Sequence, residues 1–383
     1  MSEALLNNLQ NYFEQNVIDI EKMKKEGKKA IGCYCLYSPL ELVVAADAIP
    51  LPLCGTKNDP ISSAEEILPR NLCPLIKSSF GFALTDTCPF FKFSDMIVAD
   101  TTCDGKKKMF ELMQTYKKVH LLQLPQHQNE DTALEPWRDE VVKMKQMIET
   151  CTGNAITTEK INGATELLNR ERGARKAVMD LAKINPSPIK GSEILTILFK
   201  VGFLADKEKG IRLLNKIVQY YQEKAEKNES PYKKNRPRIL ISGVPIGVGS
   251  DKVVKIIEEG GASVVGFENC TGYKQVFTIP EPFTEMDEAI DALARQYLLI
   301  PCSVMSPNPG RYDLLKQMVV DFAVDGVVDL TWQACHTYNI ESYSIEKWVK
   351  DQTGRSLLHL ETDYSNSDTE QLRVRIEAFL EML

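Results

Sequence analysis

Short apolar runs alternate with amphipathic segments in the first third of the chain. Four runs have the length of buried strands: 29–35, 49–54, 96–100 and 119–124. Three segments have helical spacing of their apolar residues: 4–27, 40–47 and 106–116, the second with Ser38-Pro39 as its expected start. Strands that alternate with helices predict a parallel sheet with crossover helices. We interpret the stretch between 55 and 95 as irregular.

The pattern changes between about 132 and 228, where long charged helical segments replace the strand signals. The clearest lie at 157–180 and 207–227, and a polar stretch with two prolines, 228–237, follows them. We interpret this region as a helical connector or lid. The predicted division is an N-terminal α/β domain at 1–131, a connector at 132–234 and a C-terminal α/β domain at 235–383.

The last third returns to alternation. Its predicted strands are 238–243, 263–267, 325–330 and 357–360, and its predicted helices are 252–259, 286–296, 344–351 and 369–382. The fold class is therefore α/β, with two doubly wound parallel-sheet domains of flavodoxin- or Rossmann-like type joined by the helical connector. Ligands in such folds bind beyond the carboxyl ends of the strands, commonly in the cleft between domains.

Composition narrows the classes of partner. The 383 residues are 43% hydrophobic and 26% charged, which is ordinary for a globular protein, and the net charge of −7 gives no reason to expect nucleic-acid binding. No apolar run approaches the roughly 20 residues needed to cross a bilayer, and the first residues do not resemble a signal peptide. We expect a cytoplasmic protein with small-molecule or protein partners.

Ten cysteines in a reducing compartment favour metal ligands or buried apolar filler over disulfides. Five follow predicted strands at their carboxyl ends: Cys35, Cys54, Cys103, Cys270 and Cys335. Cys73 and Cys88 each precede a proline, and Cys302 lies in a predicted long loop that extends to Tyr312. We interpret Cys33 as core filler and assign Cys151 no role.

Thiolates are soft ligands that select zinc, copper(I) or iron–sulfur clusters. A structural zinc site usually carries a Cys-x-x-Cys pair, and the sequence has none. Ligands scattered over two domains suit a buried iron–sulfur cluster better.

Other motifs carry weaker signals. The segment Gly243 to Lys252 follows a strand, but its glycine spacing matches neither a P-loop nor a dinucleotide fingerprint. His127 is interpreted as a surface residue, and His120 and His359 as satisfied core residues. His336, beside Cys335, is a candidate hydrogen-bond or proton donor. We expect Asp104 to cap the next helix and Lys106 to Lys108 to form a solvated face.

At these cysteine segments the sequence resembles the 2-hydroxyacyl-CoA dehydratase and benzoyl-CoA reductase subunit family. The matching stretches are Gly32-Cys-Tyr-Cys-Leu-Tyr-Ser-Pro-Leu-Glu41 with Ala45-Ala46, Leu68-Pro-Arg-Asn-Leu-Cys73, Thr102-Cys-Asp104, and Cys335 after Asp325-Gly-Val-Val-Asp329. The resemblance covers nearly the whole chain. It implies a [4Fe-4S] cluster held by Cys73, Cys103 and Cys335.

Further cysteines depart from the dehydratase pattern, in Thr85-Asp-Thr-Cys88-Pro, Glu268-Asn-Cys270-Thr and Pro301-Cys302-Ser. These segments resemble the double-cubane cluster proteins, whose [8Fe-9S] centre joins two cubanes through a sulfide and needs six thiolates. The resemblance implies that Cys88, Cys270 and Cys302 hold the second cubane. Cys35 and Cys54 are alternative ligands.

The resemblance also implies a function. A separate homodimeric [4Fe-4S] activator hydrolyses ATP and delivers low-potential electrons, and this chain, as a homodimer, reduces small unsaturated molecules. Its expected proton donors are His336, as the catalytic residue, and Tyr338, and its hydroxyl donors are Thr101, Thr102, Ser303 and Thr337. Two alternatives stay open: a 2-hydroxyacyl-CoA dehydratase subunit with one [4Fe-4S] cluster, and a cluster storage or electron-relay protein.

Overall fold

The first α/β unit is built on a four-stranded parallel sheet. The computed structural model describes residues 2–383, without the side chains of residues 2–7 and 130. The strands are β1 (Ala30–Tyr34), β2 (Ile49–Leu53), β3 (Met96–Asp100) and β4 (Val119–Leu122), in the order β2-β1-β3-β4. The helices around them are α1 (Ser2–Lys25), α2 (Leu40–Ala45), α3 (Ile61–Ala64), α4 (Pro74–Thr85), α5 (Pro89–Phe93) and α6 (Asp104–Met113).

Four longer helices follow the first sheet and form the connector. They are α7 (Glu130–Thr152), α8 (Thr158–Asp180), α9 (Gly191–Gly202) and α10 (Lys207–Glu226), with a 3-10 turn at Leu181–Lys183. Helix α8 packs against α2 and α10, and α9 packs against α1 and against a strand of the second sheet. The connector therefore contacts both α/β units.

The second α/β unit repeats the architecture of the first. Its strands β5 (Arg238–Gly243), β6 (Ser263–Phe267), β7 (Gly326–Trp332) and β8 (Ser356–Thr362) are all parallel, in the order β6-β5-β7-β8. Its helices are α11 (Lys252–Glu259), α12 (Met286–Leu298), α13 (Pro309–Asp321), α14 (His336–Thr353) and α15 (Thr369–Glu381), with a 3-10 turn at Tyr273–Gln275. The predicted α/β class with two parallel sheets is confirmed.

Helices cover both faces of the first sheet, which is why its central strands form continuous apolar runs. Ala30 and Tyr34 of β1 pack into one core cluster, while Ile31 and Cys33 pack into the other. The interpretation of Cys33 as core filler therefore agrees with its position. Helix α12 packs against α7, so residues 277–305 return from the second unit to the first sheet.

The interpretation of residues 55–95 as irregular is wrong, because α3, α4 and α5 lie there. Helix α4 is buried on most of its sides, so its sequence lacks an amphipathic period. Both α4 and α5 begin with proline at their first position, where a missing N–H costs nothing. The loop predicted to reach Tyr312 ends instead at Asn308, where α13 starts with Pro309.

The domain boundaries at 131/132 and 234/235 stay predictions. Among residues 2–383, no helix is long and apolar enough to cross a membrane.

Candidate functional site

The carboxyl ends of the two sheets meet, and the chain places a cysteine after five of their strands. Cys35 follows β1, Cys54 follows β2, Cys103 follows β3, Cys270 follows β6 and Cys335 follows β7. Hydrogen bonds join the loops at these ends across the two units. The Tyr364 hydroxyl donates to the Gly55 carbonyl at 2.8 Å, and the Thr56 hydroxyl donates to the Val248 carbonyl at 3.2 Å.

A cavity of about 250 Å³ lies between the two sheets and the connector. Cys33, Cys35, Cys54 and Cys270 line its wall at the strand ends, together with Lys106. Cys54 is enclosed by protein but open to this interior space, and burial raises the pKa of its thiol to about 11. The cavity occupies the position where doubly wound folds bind ligands.

Four cysteines outside the cavity wall are N-cap residues of helices. Cys73 caps α4, Cys88 caps α5, Cys103 caps α6 and Cys335 caps α14. The first N–H groups of a helix have no partner within it, and its N-terminus carries partial positive charge. Backbone N–H groups reach each sulfur, as from Leu75 and Ile76 to Cys73, Lys106 to Cys103, Tyr338 to Cys335 and Phe90 and Phe91 to Cys88. These contacts stabilise thiolates.

The structure brings Cys73, Cys103 and Cys335 together. A hydrogen bond joins the Cys73 and Cys335 sulfurs; it lowers the pKa of Cys73 and raises that of Cys335. Burial raises the pKa of Cys103, and a negative charge on Cys335 acts in the same direction. A negative charge on Cys103 in turn acts to raise the pKa of Cys73. The trio comes from three helix N-termini of both α/β units.

Cys35, Cys270 and Cys302 form a second group within electrostatic reach of one another. Burial raises the pKa of Cys270 to about 12 and also raises that of Cys302, while the Lys274 ammonium opposes both shifts. Cys302 reaches this group because its segment returns to the first sheet after α12. Cys35 adopts a left-handed backbone with φ 67°, which is unusual for a residue with a side chain.

Cys88 lies near Tyr34 and Lys57, and Cys270 and Cys302 are not among the largest influences on the pKa of its thiol. Cys35, in contrast, lies within electrostatic reach of both Cys270 and Cys302. The assignment of Cys88 to the second cubane stays a prediction.

Two buried lysines, Lys106 and Lys274, place positive charge beside the thiols. Lys106 is buried on α6 with its Nζ 3.9 Å from the Asp100 carboxylate, so the expectation that it belongs to a solvated face is wrong. Lys107 and Lys108 are exposed, as expected. Cys103, rather than Asp104, caps this helix.

Asp100 ends β3 and is fully buried beside Cys35. Neither of its carboxylate oxygens has a hydrogen bond of good geometry, although the Cys35 thiol and the Thr102 hydroxyl approach it. Burial raises the pKa of this carboxyl group, and the Lys106 charge opposes the shift.

A buried network of charges supports the second group of thiols. Lys274 Nζ lies 3.0 Å from Glu268 Oε1 and donates to the Tyr338 hydroxyl at 2.9 Å. Arg311 donates to Asp329 at 2.7 Å and to Glu341 at 2.6 Å. Sequence reasoning missed this network, although a carboxylate at Asp329 inside an apolar strand is a signal of it.

The predicted donors lie at different depths. Thr337 donates a hydrogen bond to Cys335 and accepts one from the Ser303 hydroxyl at 2.9 Å. Thr101 instead accepts the Leu124 N–H at 2.9 Å. Tyr338 is buried near Cys270 and Cys302, whereas His336 is exposed and is not among the cavity-lining residues.

His359 and His120 differ in their hydrogen bonding. His359 contacts the Thr331 hydroxyl at 3.1 Å, as a satisfied strand residue should. His120 Nε2 is buried without a hydrogen-bond partner among the described residues, so its interpretation as a satisfied core residue is wrong.

The glycine loop after β5 forms a contact between the two α/β units. A Cβ on Gly247 would lie 2.5 Å from the Phe199 ring and 2.7 Å from the Thr56 side chain. Pro245 and Ile246 of the same loop line the cavity. The loop therefore needs glycine for close packing.

The cysteine thiols are the groups here that could hold an iron–sulfur centre, since such centres take thiolate ligands and carry negative charge. The partial positive charge of the helix N-termini and the charges of the two buried lysines would stabilise that negative charge. Within the described residues no group of three or more His, Cys, Asp or Glu side chains is placed to hold a metal ion.

Comparison with known proteins identifies the family. The model of "2-hydroxyglutaryl-CoA dehydratase, D-component" matches residues 35–383. This chain belongs to that family. It is 44% identical over 366 residues to "Putative dehydratase subunit YjiM" of Escherichia coli (strain K12), covering 96% of this chain and 94% of the relative. The family comprises components of dehydratases and related reductases.

More distant relatives extend over similar lengths. The (R)-phenyllactyl-CoA dehydratase beta subunit of Clostridium sporogenes is 26% identical, over 95% of this chain and 94% of the relative. The (R)-2-hydroxyglutaryl-CoA dehydratase subunit beta of Acidaminococcus fermentans is 23% identical, over 99% of both chains. The predicted resemblance to this family is confirmed.

Proposed function

We propose that this chain is the electron-accepting, substrate-reducing component of a two-component iron–sulfur reductase. It would carry a double-cubane [8Fe-9S] cluster, work as a cytoplasmic homodimer and receive electrons from a separate homodimeric [4Fe-4S] activator that hydrolyses ATP. The proposed ligands are Cys73, Cys103 and Cys335 for one cubane and Cys88, Cys270 and Cys302 for the other.

The observation that supports this proposal most strongly is the number of cysteines near one cavity. Cys73, Cys103 and Cys335 would satisfy a single cubane, and Cys270 and Cys302 lie beyond that requirement beside the same strand ends. Buried filler would not require cysteine after strands of both sheets. The cysteines beyond the three that a single cubane needs favour a larger cluster.

The electrostatics suit an electron-accepting centre. Lys106 and Lys274 are buried beside the thiols and can balance the charge that an added electron brings. Backbone N–H groups at α4, α6 and α14 supply further stabilisation without a mobile counterion.

The third ligand of the second cubane has two candidates. Burial raises the pKa of Cys88, but backbone N–H groups at its sulfur, like those at the members of the first trio, oppose that shift. Cys35 lies within electrostatic reach of Cys270 and Cys302, but burial and the Asp100 carboxylate raise its pKa well above the usual range. We retain Cys88 because its backbone N–H groups favour the thiolate form that a ligand takes.

An iron–sulfur centre bound here would supply electrons at low potential. The chain's own residues would bury it, exclude bulk water and admit a small substrate through the cavity. Thr337 would donate a hydrogen bond to the Cys335 sulfur, and Tyr338 would hold a proton near the second group. His336 would carry protons only at the exposed end of α14, because it does not line the cavity.

The alternative is a 2-hydroxyacyl-CoA dehydratase subunit with one [4Fe-4S] cluster. The names of the relatives from Clostridium sporogenes and Acidaminococcus fermentans favour it. The small cavity argues against enclosing a whole CoA thioester, since pockets that enclose drug-sized ligands start near 300 Å³.

One assay separates the two functions. Anaerobically purified chain is incubated with activator, ATP and reductant, and with either a small alkyne or a 2-hydroxyacyl-CoA. We expect activator-dependent reduction of the alkyne. Dehydration of the CoA thioester without net reduction of the alkyne would support the dehydratase function instead.

A further inference from the structure

The cavity is also lined by cationic side chains of the connector. Arg172 and Arg175 lie on α8, one turn apart, and Lys207 begins α10. All three line the same cavity as Cys35 and Cys270. The connector therefore adds positive charge to a cavity that cysteine thiols also line.

Two of these cations already have carboxylate partners. Arg172 donates to Glu41 at 2.6 Å, and its guanidinium also lies 4.2 Å from the centre of the Phe277 ring. Lys207 lies 3.2 Å from Glu171. Their charges are largely compensated within the protein.

Arg175 differs from both. It is only 8% exposed, and among the side chains that the structure describes its guanidinium makes a single hydrogen bond, to the Leu198 carbonyl at 3.3 Å, and no ion pair. A guanidinium has five N–H donors, so most of those of Arg175 have no acceptor among the described residues and are free for a ligand in the cavity that it lines. Burial lowers the pKa of Arg175, and the Glu171 charge only partly opposes that shift.

The surroundings of Arg175 specify the size and polarity of its ligand. Its Nη1 packs against Gly202, where a Cβ would come within 3.3 Å of it, so the chain leaves room for the guanidinium. Leu168, Leu198 and Phe199 supply apolar wall to the same cavity. A ligand that fits has a short apolar body and one anionic group.

We propose that Arg175 binds the carboxylate of a small organic acid in this cavity. Arginine matches a carboxylate through two parallel N–H···O bonds, and the apolar wall favours an organic body over an inorganic anion. This inference deepens the proposed function and rests on it, because it names the substrate as a small unsaturated carboxylic acid whose multiple bond lies toward the thiols.

Binding of crotonate, crotonamide and inorganic phosphate to the anaerobic holoprotein tests the proposal. Calorimetry is done without activator or ATP, so that reduction is not needed for a signal. We expect crotonate to bind about tenfold or more tightly than the nearly isosteric crotonamide, because only the carboxylate pairs with Arg175. Equal affinities, absent crotonate binding, or tighter phosphate binding would overturn the proposal.

Substitutions test whether Arg175 causes the preference for crotonate over crotonamide. Arg175→Met should abolish the preference for crotonate over crotonamide, and Arg175→Lys should retain part of it. Arg170→Met, on the exposed side of the same helix, is the matched control and should leave both affinities unchanged. If Arg175→Met fails to fold, the comparison of the three ligands on the unmodified protein and on Arg175→Lys still decides.

The experiments distinguish a failure of this inference from a failure of the proposed function. Alkyne reduction without a carboxylate preference would overturn this inference alone. A carboxylate preference that depends on Arg175 in a chain that never reduces an alkyne would overturn the proposed function alone.

Discussion

The Lys106 ammonium lies 3.9 Å from the Asp100 carboxylate, and both groups are buried beside the Cys35 thiol. Asp100 ends strand β3, and Lys106 lies in the first turn of α6, so the strand-to-helix connection that carries Cys103 also brings a cation to the thiols. Burying both charges costs desolvation free energy, which their mutual attraction and their interactions with the thiols offset.

Lys106→Met should destabilise the anaerobic protein by about 3 kcal/mol, because it leaves a buried acidic group without its cation. Denaturant unfolding measures the loss, and Lys106→Arg should recover much of it. Lys108→Met is the control on the same helix, since Lys108 is exposed and pairs with Glu111, which is also exposed. Equal stability of the Lys106→Met and Lys108→Met proteins would contradict the role given to Lys106.

Cys88→Ala and Cys35→Ala form a matched pair for the second cubane. We expect Cys88→Ala to lower the bound iron per chain and to abolish activator-dependent reduction, because a thiolate ligand is lost. Cys35→Ala should retain the iron. The reverse pattern would assign the ligand to Cys35, whose position beside Cys270 favours it.

Thr337→Val should make the bound centre harder to reduce. The substitution keeps the shape of the side chain but removes the hydroxyl that donates to Cys335 and accepts from Ser303, and hydrogen bonds to cluster sulfur help to set the potential. A redox titration followed by electron paramagnetic resonance measures the shift. Thr353→Val, near the C-terminal end of α14, is the control, and an identical potential for both variants would argue against the hydrogen bond's role.

The lowered pKa of Asp95, which lies away from the site, predicts that the stability of the protein depends on pH. Burial raises the pKa of its carboxyl, but Lys24, the Ala30 N–H at 2.8 Å and Lys29 outweigh that effect and hold the pKa below its usual range. A depressed folded-state pKa adds stability above the unfolded pKa, and that stability is lost as pH falls through the folded value.

Asp95→Asn should therefore cost about 1 kcal/mol at neutral pH and much less under acid conditions. Unfolding at a series of pH values measures both, with Asp139→Asn as an exposed control. A loss that stays constant down to the most acidic pH would show that the charge of Asp95 contributes nothing.

Most strands of the two sheets could be predicted because they are buried on both faces. Met96–Asp100, Arg238–Gly243 and Ser263–Phe267 have the predicted bounds, since helices on either side leave no polar alternation along them. The cysteines after β1, β2, β3, β6 and β7 follow from those strands. Their common location then follows from the rule that parallel strands share one carboxyl edge.

The burial of Lys106 was predictable in part. Lys106, Met109, Phe110 and Met113 recur at helical spacing and are all buried, whereas three adjacent lysines suggest a solvated surface. The grouping of Cys302 with Cys35 could not be predicted. It depends on the return of the chain through α12 to the first sheet, a long-range packing that no local pattern specifies.

Iron and sulfide quantitation on anaerobically purified protein decides between a double cubane and a single cubane. We expect close to eight iron atoms and nine sulfides per chain, held by six cysteines. Close to four irons per chain, with the spectrum of one cubane that depends only on Cys73, Cys103 and Cys335, would contradict the double cubane.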